Sequence, residues 1–352
     1  MPTRENVNGI RAKNSKKIIF LLSSIAVVLI LFFASLAIGS SNLPLNQVFI
    51  GLFGQGDEST NLIMQNIRLP RACAALICGA ALGVCGLVMQ TTLNNPLSSP
   101  STLGVSNAGV FGANIAILII SGGASTSINS SNPYLTISFA FLSSLICIGV
   151  ILLLAKIKNF SPTTIILVGV AISTLFAAAT TLLQYFADDN QLANMVFWNF
   201  GTLVNVTNKQ NVFLGIFVAL TFIFFMILAP KYNALLAGED ISKSLGINTT
   251  RLRLLSLLVT SLAIAISISF FGAIGFIGIM APHIVRRIIG SDHRYLIPGS
   301  ALFGIIILEI SDILSRIILV NYELPVGAIT AILGAPFFLF LVFTRNGGLN
   351  HD

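Results

Sequence analysis

Charged residues are scarce in this chain. Of its 352 residues, 19 are Lys or Arg and 12 are Asp or Glu, while 55% are hydrophobic. Soluble domains carry about 25% charged residues, so this composition excludes an ordinary soluble domain and indicates a chain that resides in a bilayer. The net charge of +7 does not indicate nucleic-acid binding, because the basic residues form short clusters between apolar runs without interleaved aromatic residues.

Motifs for catalysis and metal binding are also missing. The chain has no Walker A, HExxH or GxSxG motif and no pair of catalytic carboxylates, which argues against an enzyme. His283 has no second His or Cys at ligand spacing in its run, so a hydrogen-bonded helix histidine is favoured over a metal ligand. We expect all four cysteines to be small packing residues, since they lie inside apolar runs without a CxxC pair: Cys73, Cys78, Cys85 and Cys147.

What the chain does contain is a series of apolar runs of membrane-spanning length, about 20 residues each. Ten can be placed, near residues 18–38, 69–91, 103–121, 134–156, 163–186, 211–229, 252–271, 274–289, 297–319 and 326–344. The eighth is short, so we expect it to begin inside the protein, where neighbouring helices satisfy the glycine-rich backbone before it. The pattern predicts an all-α polytopic membrane protein with one ten-helix domain over 18–345 and short tails over 1–17 and 346–352.

The distribution of basic residues predicts the orientation of this domain. Ten spans place both termini on one side, and the cytosolic side normally carries the excess of Lys and Arg. If that side is the one with the N-terminus, only four basic residues lie outside: Arg68, Arg71, Lys209 and Arg316. We therefore expect both termini in the cytosol. The first run exceeds the apolar part of a secretory signal and more spans follow, so we expect it to be retained.

The loop after the sixth run contains a short amphipathic pattern. Glu239 and Lys243 form an i,i+4 pair in the favourable order, Ile241 and Leu245 share a face, and Gly246 can end the helix. Such a helix either lies on lipid or docks a cytosolic protein. The acidic residues on its polar face disfavour anionic headgroups and favour docking.

Two connections at the predicted cytosolic edge are polar and interrupted by proline. Asn95, Pro96 and Leu97 follow the second run, and Pro162 and Thr163 follow the fourth. Irregular backbone at this depth is tolerated where it faces water or protein, so one interpretation is the lining of a pathway. Ordinary turns, with Asn and Pro in their usual turn roles, explain the pattern equally well.

Charged residues also cluster near the predicted outer ends of two spans. Arg68 and Arg71 start the second, and Glu309, Asp312 and Arg316 lie on one face near the end of the ninth, where Asp312 can pair with Arg316. Charge inside a membrane marks functional sites by default. A buried structural pair is the alternative for the acids, and headgroup contact is the alternative for Arg68 and Arg71.

Several motifs with a specific order and spacing extend over residues 18–345: Arg68-Leu-Pro-Arg71, Asn95-Pro96-Leu97, Gly238-Glu239 to Gly246, Gly275-Phe276-Ile277-Gly278, Pro282-His283, Asp292-His293-Arg294, Glu323-Leu324-Pro325 and Gly334-Ala335-Pro336. This series resembles the FecCD-like permeases, the membrane subunits of ABC importers for iron siderophores, haem and cobalamin. The resemblance implies a type II ABC importer permease fold with ten helices. The protein would lie in a bacterial plasma membrane, with its N-terminus on the cytosolic side.

The resemblance also implies residue roles. Within a cytosolic coupling loop over 230–253, five residues would seat in an ATPase: Gly238, Glu239, Asp240, Leu245 and Gly246. Four would form the cytosolic gate: Asn95, Leu97, Pro162 and Thr163. Family gates carry Thr-Ser before the fifth helix, where this chain has Pro162-Thr163. Three arginines would receive acidic residues from the lobes of a substrate-binding protein: Arg68, Arg71 and Arg316.

The implied function is transport without bond chemistry on this chain. A second copy or a close paralogue would complete the path, ATP and Mg would bind a cytosolic ATPase, and an extracytoplasmic binding protein would deliver the cargo. The chain would bind neither a cofactor nor nucleic acid. Its apolar surface would contact membrane lipid. A ferric siderophore is the leading cargo, with haem or cobalamin as alternatives. The alternative function is an ion-coupled secondary carrier with Glu309 and Asp312 as the relay. Such a carrier would need no cytosolic partner.

Overall fold

The apolar runs of the sequence fold as α-helices in the computed structural model, which describes residues 4–39, 43–99, 101–121, 133–204, 206–319 and 323–344. A π-helical segment, Ile63–Arg68, joins the third helix to the fourth. The α-helices are α1 Arg4–Ala37, α2 Leu45–Leu52, α3 Glu58–Leu62, α4 Leu69–Thr92, α5 Val105–Ser121, α6 Pro133–Ile157, α7 Pro162–Tyr185, α8 Asp189–Asn199, α9 Asn208–Leu236, α10 Glu239–Ser244, α11 Thr249–Phe271, α12 Ile277–Ile289, α13 His293–Ile317 and α14 Val326–Thr344. These ranges hold no strand, so the all-α prediction is confirmed.

Each of the ten predicted spans coincides with a helix, but their lengths differ. Seven helices in the described ranges are long and apolar enough to cross a membrane, one of them continuous over Glu58–Thr92. Helices α5 and α14 are apolar but shorter, and α12 has 13 residues. The count of ten spans therefore stays a prediction, as does the tail over 346–352, which lies outside the described residues. Helix α1 begins at Arg4, well before the predicted span.

Helix α4 forms the centre of the fold, with most of its residues buried. Glycines let it approach its neighbours closely, as small residues do in membrane proteins. A Cβ atom built on Gly86 would lie 2.0 Å from the carbonyl oxygen of Gly278 in the first turn of α12. A Cβ atom built on Gly304 of α13 would lie 2.1 Å from the carbonyl oxygen of Gly79. The packing of α4 against α12 and α13 therefore depends on backbone-to-backbone contact.

The backbone before α12 is irregular and lies inside the protein. Residues 272–276 are not helical, and the Thr202 amide donates to the Phe271 carbonyl at 2.8 Å. A Cβ atom on Gly201 would lie 2.8 Å from the carbonyl oxygen of Ala273, so the two segments are in close contact. This confirms the expectation that the eighth helix begins within the protein.

The helix ends fall on two faces, which side-chain contacts identify. Lys17 Nζ lies 3.9 Å from Asp292 Oδ2, and Asn233 Nδ2 donates to Asp292 Oδ1 at 2.8 Å. Lys17 of α1, just before the predicted first span, thus lies on the same face as the end of α9 and the start of α13. Since α10 directly follows α9, we name this the α10 face. The other end of the bundle, which carries Arg71, is named the Arg71 face.

Candidate functional site

Helix α10 has only six residues and is framed by two glycines. Gly238 has φ +119 and Gly246 has φ +77, and a Cβ atom at either position would meet nothing within 4 Å. Backbone conformation, and not lack of space, therefore requires glycine here. Ser242 is fully buried, whereas Ile241 and Leu245 are 51% and 65% exposed. The helix thus presents two apolar side chains outward from the α10 face, next to the exposed Asp240.

The Glu239 carboxylate ties the start of α10 to α11. Thr249 Oγ1 donates to Glu239 Oε1 at 3.0 Å, Arg253 Nη2 lies 3.8 Å from Oε2, and Lys243 Nζ lies 3.7 Å from Oε1. The Thr249 hydrogen bond, together with the two positive charges, outweighs the raising effect of partial burial and holds the pKa of Glu239 below its usual value. The group therefore carries its negative charge at neutral pH.

The first predicted gate connection is a tight turn after α4. The Asn95 amide donates to the Gln90 carbonyl at 3.0 Å, and the Asn95 side chain accepts from the Leu97 amide at 2.9 Å. Asn95 therefore performs turn chemistry, while Leu97 is 42% exposed. Because a turn can also line a pathway, the gate role of these two residues stays a prediction.

The second predicted gate connection has an unusual backbone. Asn159 and Phe160 have φ values of +49 and +56, a region that residues with a Cβ atom rarely adopt. Phe160 is 9% exposed, and Pro162 occupies the first turn of α7, where its fixed φ favours the helix start. Thr163 is exposed. Pro162 thus has a structural role of its own, and the gate role of this pair also stays a prediction.

Arg253 joins these two connections, which the sequence alone did not indicate. Its Nε donates to the Thr92 carbonyl at 3.0 Å, and its Nη1 donates to the Phe160 carbonyl at 3.0 Å. The side chain is only 6% exposed. The available signal was a second arginine inside the Arg251-Leu252-Arg253-Leu254 pattern at the start of an apolar run, but nothing in that pattern identifies the partners.

A second polar cluster lies on the α10 face. His293 is fully buried, its Nε2 lies 2.8 Å from Thr91 Oγ1, and its Nδ1 lies 3.0 Å from Asn233 Oδ1. Gln90 Nε2 donates to the Gly278 carbonyl at 3.1 Å. The cluster therefore holds the end of α4 against α9 and the start of α13. In the part of the chain that the structure describes, no group of three His, Cys, Asp or Glu side chains could hold a metal ion.

Four charged residues of the Arg71 face form one largely buried network: Arg71, Asp312, Arg316 and Glu323. Arg71 Nε contacts Asp312 Oδ1 at 2.8 Å, and Arg71 Nη1 contacts Glu323 Oε2 at 2.6 Å. Arg316 Nη2 contacts the other Asp312 oxygen at 2.7 Å, so the predicted pair of Asp312 with Arg316 is confirmed. Arg68 Nη1 donates to the carbonyls of two α1 residues, at 2.8 and 3.0 Å.

Burial separates the interpretations of these arginines. Arg68 and Arg71 are each 4% exposed, so headgroup contact, which requires the charged group to reach water, is wrong for both. The Arg316 side chain is 5% exposed, whereas the Glu323 side chain of the same network is 47% exposed and reaches solvent. Docking of a binding protein through the three arginines stays a prediction, and in this conformation their guanidinium groups serve contacts within the chain.

The sequence of this chain is similar to those of known transport permeases. The model of the FecCD transport family matches residues 27–344. A protein of Methanocaldococcus jannaschii, provisionally described as an ABC transporter permease, is 48% identical over 93% of this chain and 95% of its own length. The Fe(3+)-citrate import system permease YfmE of Bacillus subtilis is 33% identical, covering 94% of this chain and 96% of its own. The hemin transport system permease HmuU of Yersinia pestis is also 33% identical, covering 90% and 94%.

A solved structure agrees with these relatives. It is described as an inward-facing conformation of an ABC transporter whose assignment to the metal-chelate type is provisional. It superimposes with a TM-score of 0.79 at 28% identity, covering 92% of this chain and 98% of that one. The relatives are transport permeases and not enzymes, and the fold and apolar helices indicate a multi-pass protein of the plasma membrane. The family model covers most of the sequence, and the chain belongs to the FecCD transport family.

Proposed function

We propose that this chain is the permease subunit of an ABC importer that carries an iron chelate into the cell, with ATP hydrolysis on a separate cytosolic ATPase. The observation that carries the proposal is α10, a short helix with two exposed apolar side chains and a positive-φ glycine at each end. It suits insertion into a cleft of a partner protein. Family membership supports the same conclusion, because the similar proteins include an Fe(3+)-citrate import system permease and a hemin transport system permease.

In this proposal the α10 face is cytosolic, as the excess of basic residues on that side predicts. A second copy or a paralogue completes the translocation path, which two subunits enclose between them. ATP binding closes the ATPase dimer and displaces α10, and the permease exchanges inward for outward access. The connections at Asn95–Leu97 and Pro162–Thr163 form the cytosolic gate. ATP and Mg bind the ATPase, and no cofactor binds this chain.

The proposed cargo is a ferric siderophore or a similar iron chelate. It is supported by the iron-citrate relative and by the metal-chelate type transporter with a similar fold. Haem is the first alternative, because the hemin permease is equally similar, and cobalamin is the second. A two-lobed extracytoplasmic binding protein would dock on the Arg71 face. Because Arg68, Arg71 and Arg316 are buried in contacts within the chain, docking through them requires those contacts to rearrange.

An ion-coupled carrier is the alternative function, and the contacts of Asp312, one of the two residues in its proposed relay, disfavour it. Asp312 is fully buried and bonded to Arg71 and Arg316. Two short charge-assisted contacts fix the position of this carboxylate, which disfavours its participation in a relay. The exposed α10 would also have no purpose in a carrier that works alone.

Replacing Gly246 by valine is expected to uncouple the permease from its ATPase. A residue with a Cβ atom loses about 1–2 kcal/mol in the left-handed region, so α10 would end differently and shift its apolar face. Uptake and transport-stimulated ATP hydrolysis by the reconstituted importer should both fall, while the protein still inserts. The matched control is Gly246→Asn, because asparagine tolerates positive φ and should retain most of the stimulation. Wild-type stimulation in Gly246→Val would count against docking through α10.

Single cysteines at Asn95 and Leu97 are expected to report the gate. In a background in which Cys73, Cys78, Cys85 and Cys147 are replaced by alanine, crosslinking between the two permease subunits should change when a nonhydrolysable ATP analogue is added. The nucleotide-free and ADP states are the controls. If neither position crosslinks in any state, these residues do not approach the axis of the pathway, and the gate assignment fails.

A further inference from the structure

We propose that Arg253 is the positioning residue that transmits movement of α10 to both predicted gate connections at once. The inference rests on the proposed function, since it concerns how an ATP-driven permease couples its ATPase to its gate. Its basis is that one guanidinium group contacts three separate elements: the end of α4, the turn before α7, and the first residue of α10.

The two carbonyl contacts lie directly beside the gate connections. Thr92, whose carbonyl accepts from Nε, is the last residue of α4 and precedes Asn95 by three positions. Phe160, whose carbonyl accepts from Nη1, precedes Pro162 by two positions. Both carbonyls lie where no following helical turn supplies a donor, and buried carbonyls need a partner. Arg253 therefore fixes the positions of both connections.

The third contact is of a different kind. Arg253 Nη2 lies 3.8 Å from Glu239 Oε2, which is longer than a charge-assisted hydrogen bond, and the Glu239 side chain is 44% exposed. Electrostatic attraction holds this contact, with solvent beside it. The carbonyl contacts are short and buried, so the Glu239 contact is the one that a displacement of α10 changes first.

The geometry of the guanidinium group makes the three contacts interdependent. Its donors are fixed in one plane and project in set directions. When Glu239 moves with α10, a guanidinium orientation that keeps the contact with Glu239 no longer keeps both carbonyl hydrogen bonds. The connections after α4 and before α7 must therefore move together. Thr249 at the start of α11 holds the other Glu239 oxygen at 3.0 Å, which keeps α10 and α11 together during this movement.

The test compares Arg253→Lys with Arg251→Lys in the full importer complex, without any cargo. Lysine keeps the charge but is a point donor, so it cannot bond both carbonyls and face Glu239 in the planar arrangement. Arg251 lies two residues earlier on the same helix and its side chain is exposed, which makes it a matched control. The readout is nucleotide-dependent crosslinking of single cysteines at Leu97 and at Thr163, one for each connection, measured alongside copurification of the ATPase.

In Arg253→Lys we expect the ATPase to copurify while the nucleotide-dependent change in crosslinking falls about fivefold or more at both positions, the lower range of allosteric coupling. Arg251→Lys should retain the change. A second variant, Glu239→Gln, removes the charge that faces Arg253 and leaves both carbonyl bonds in place. It should reduce the response at both connections in the same way, and it decides the question if Arg253→Lys fails to fold.

The outcomes separate this inference from the proposed function. If the wild type responds to nucleotide and both Arg253→Lys and Glu239→Gln respond equally well, the relay through Arg253 is overturned while the importer assignment stands. If only one connection loses its response, the joint movement of the two is overturned. If the wild-type complex shows no nucleotide response at either connection, the proposed gate fails, and the inference fails with it.

Discussion

Replacing Asp312 by asparagine is expected to destabilise the permease more than any other single charge change. Asp312 is fully buried and pairs with Arg71 at 2.8 Å and Arg316 at 2.7 Å. Asparagine keeps the shape but removes the charge, which leaves the buried Arg316 without its carboxylate partner and Arg71 with only the half-exposed Glu323. Breaking a buried ion pair in this way costs about 3–5 kcal/mol. The thermal unfolding transition in detergent should shift down strongly, with a lower yield of monodisperse protein.

The control for this change is Glu323→Gln. Glu323 contacts the same arginine at 2.6 Å, but its side chain is 47% exposed, and exposed ion pairs contribute about 0–1 kcal/mol. Its unfolding temperature should therefore lie close to that of the wild type. Equal stability of the Asp312→Asn and Glu323→Gln variants would contradict the view that the network of the Arg71 face depends on the buried carboxylate.

The second large effect is expected for Gly86→Ala. The added Cβ atom would lie 2.0 Å from the Gly278 carbonyl oxygen and 2.4 Å from the Gly278 Cα atom, so α4 and α12 would have to separate. Because the obstacle is backbone, no side-chain rotation relieves it. Overpacking of a tight core costs about 1–3 kcal/mol, and occasionally more, which thermal unfolding and insertion yield would both measure.

Gly149→Ala provides the opposite case. Gly149 lies inside α6, and a Cβ atom there would meet nothing within 4 Å. Alanine is favoured over glycine in a helix by about 0.8–1.0 kcal/mol, so this variant should be as stable as the wild type or slightly more stable. A comparable loss of stability in Gly149→Ala and Gly86→Ala would mean that close packing of α4 is not the reason for glycine at position 86.

The sequence predicted the long helices well where an apolar run and a local start signal coincide. The predicted span 163–186 corresponds to α7 over Pro162–Tyr185, and 134–156 to α6 over Pro133–Ile157. Helix α8 was not predicted, because its apolar content is low and a search for membrane-spanning runs passes over eleven residues. Its signal was present in the capping box of Asp188 and Gln191.

Local contacts in the candidate site were also predictable, and distant ones were not. The pairs of Asp312 with Arg316 and of Glu239 with Lys243 follow from helical spacing and are present. Arg71 meets Asp312 across 241 positions of sequence, and Arg253 meets Thr92 across 161. Tertiary packing sets these contacts, and no local pattern encodes them. For the same reason the topology rule placed Arg71 on the outer side but could not show that it is buried.

Uptake by proteoliposomes that contain this chain, its ATPase and its binding protein tests the central claim most directly. The probes are radiolabelled ferric citrate, haem and cobalamin, each supplied with the binding protein outside and ATP inside. The account predicts accumulation of an iron chelate that requires hydrolysable ATP and all three components, and that persists when a proton ionophore collapses the ion gradient. Accumulation by the permease alone, driven by an ion gradient and abolished by the ionophore, would contradict it.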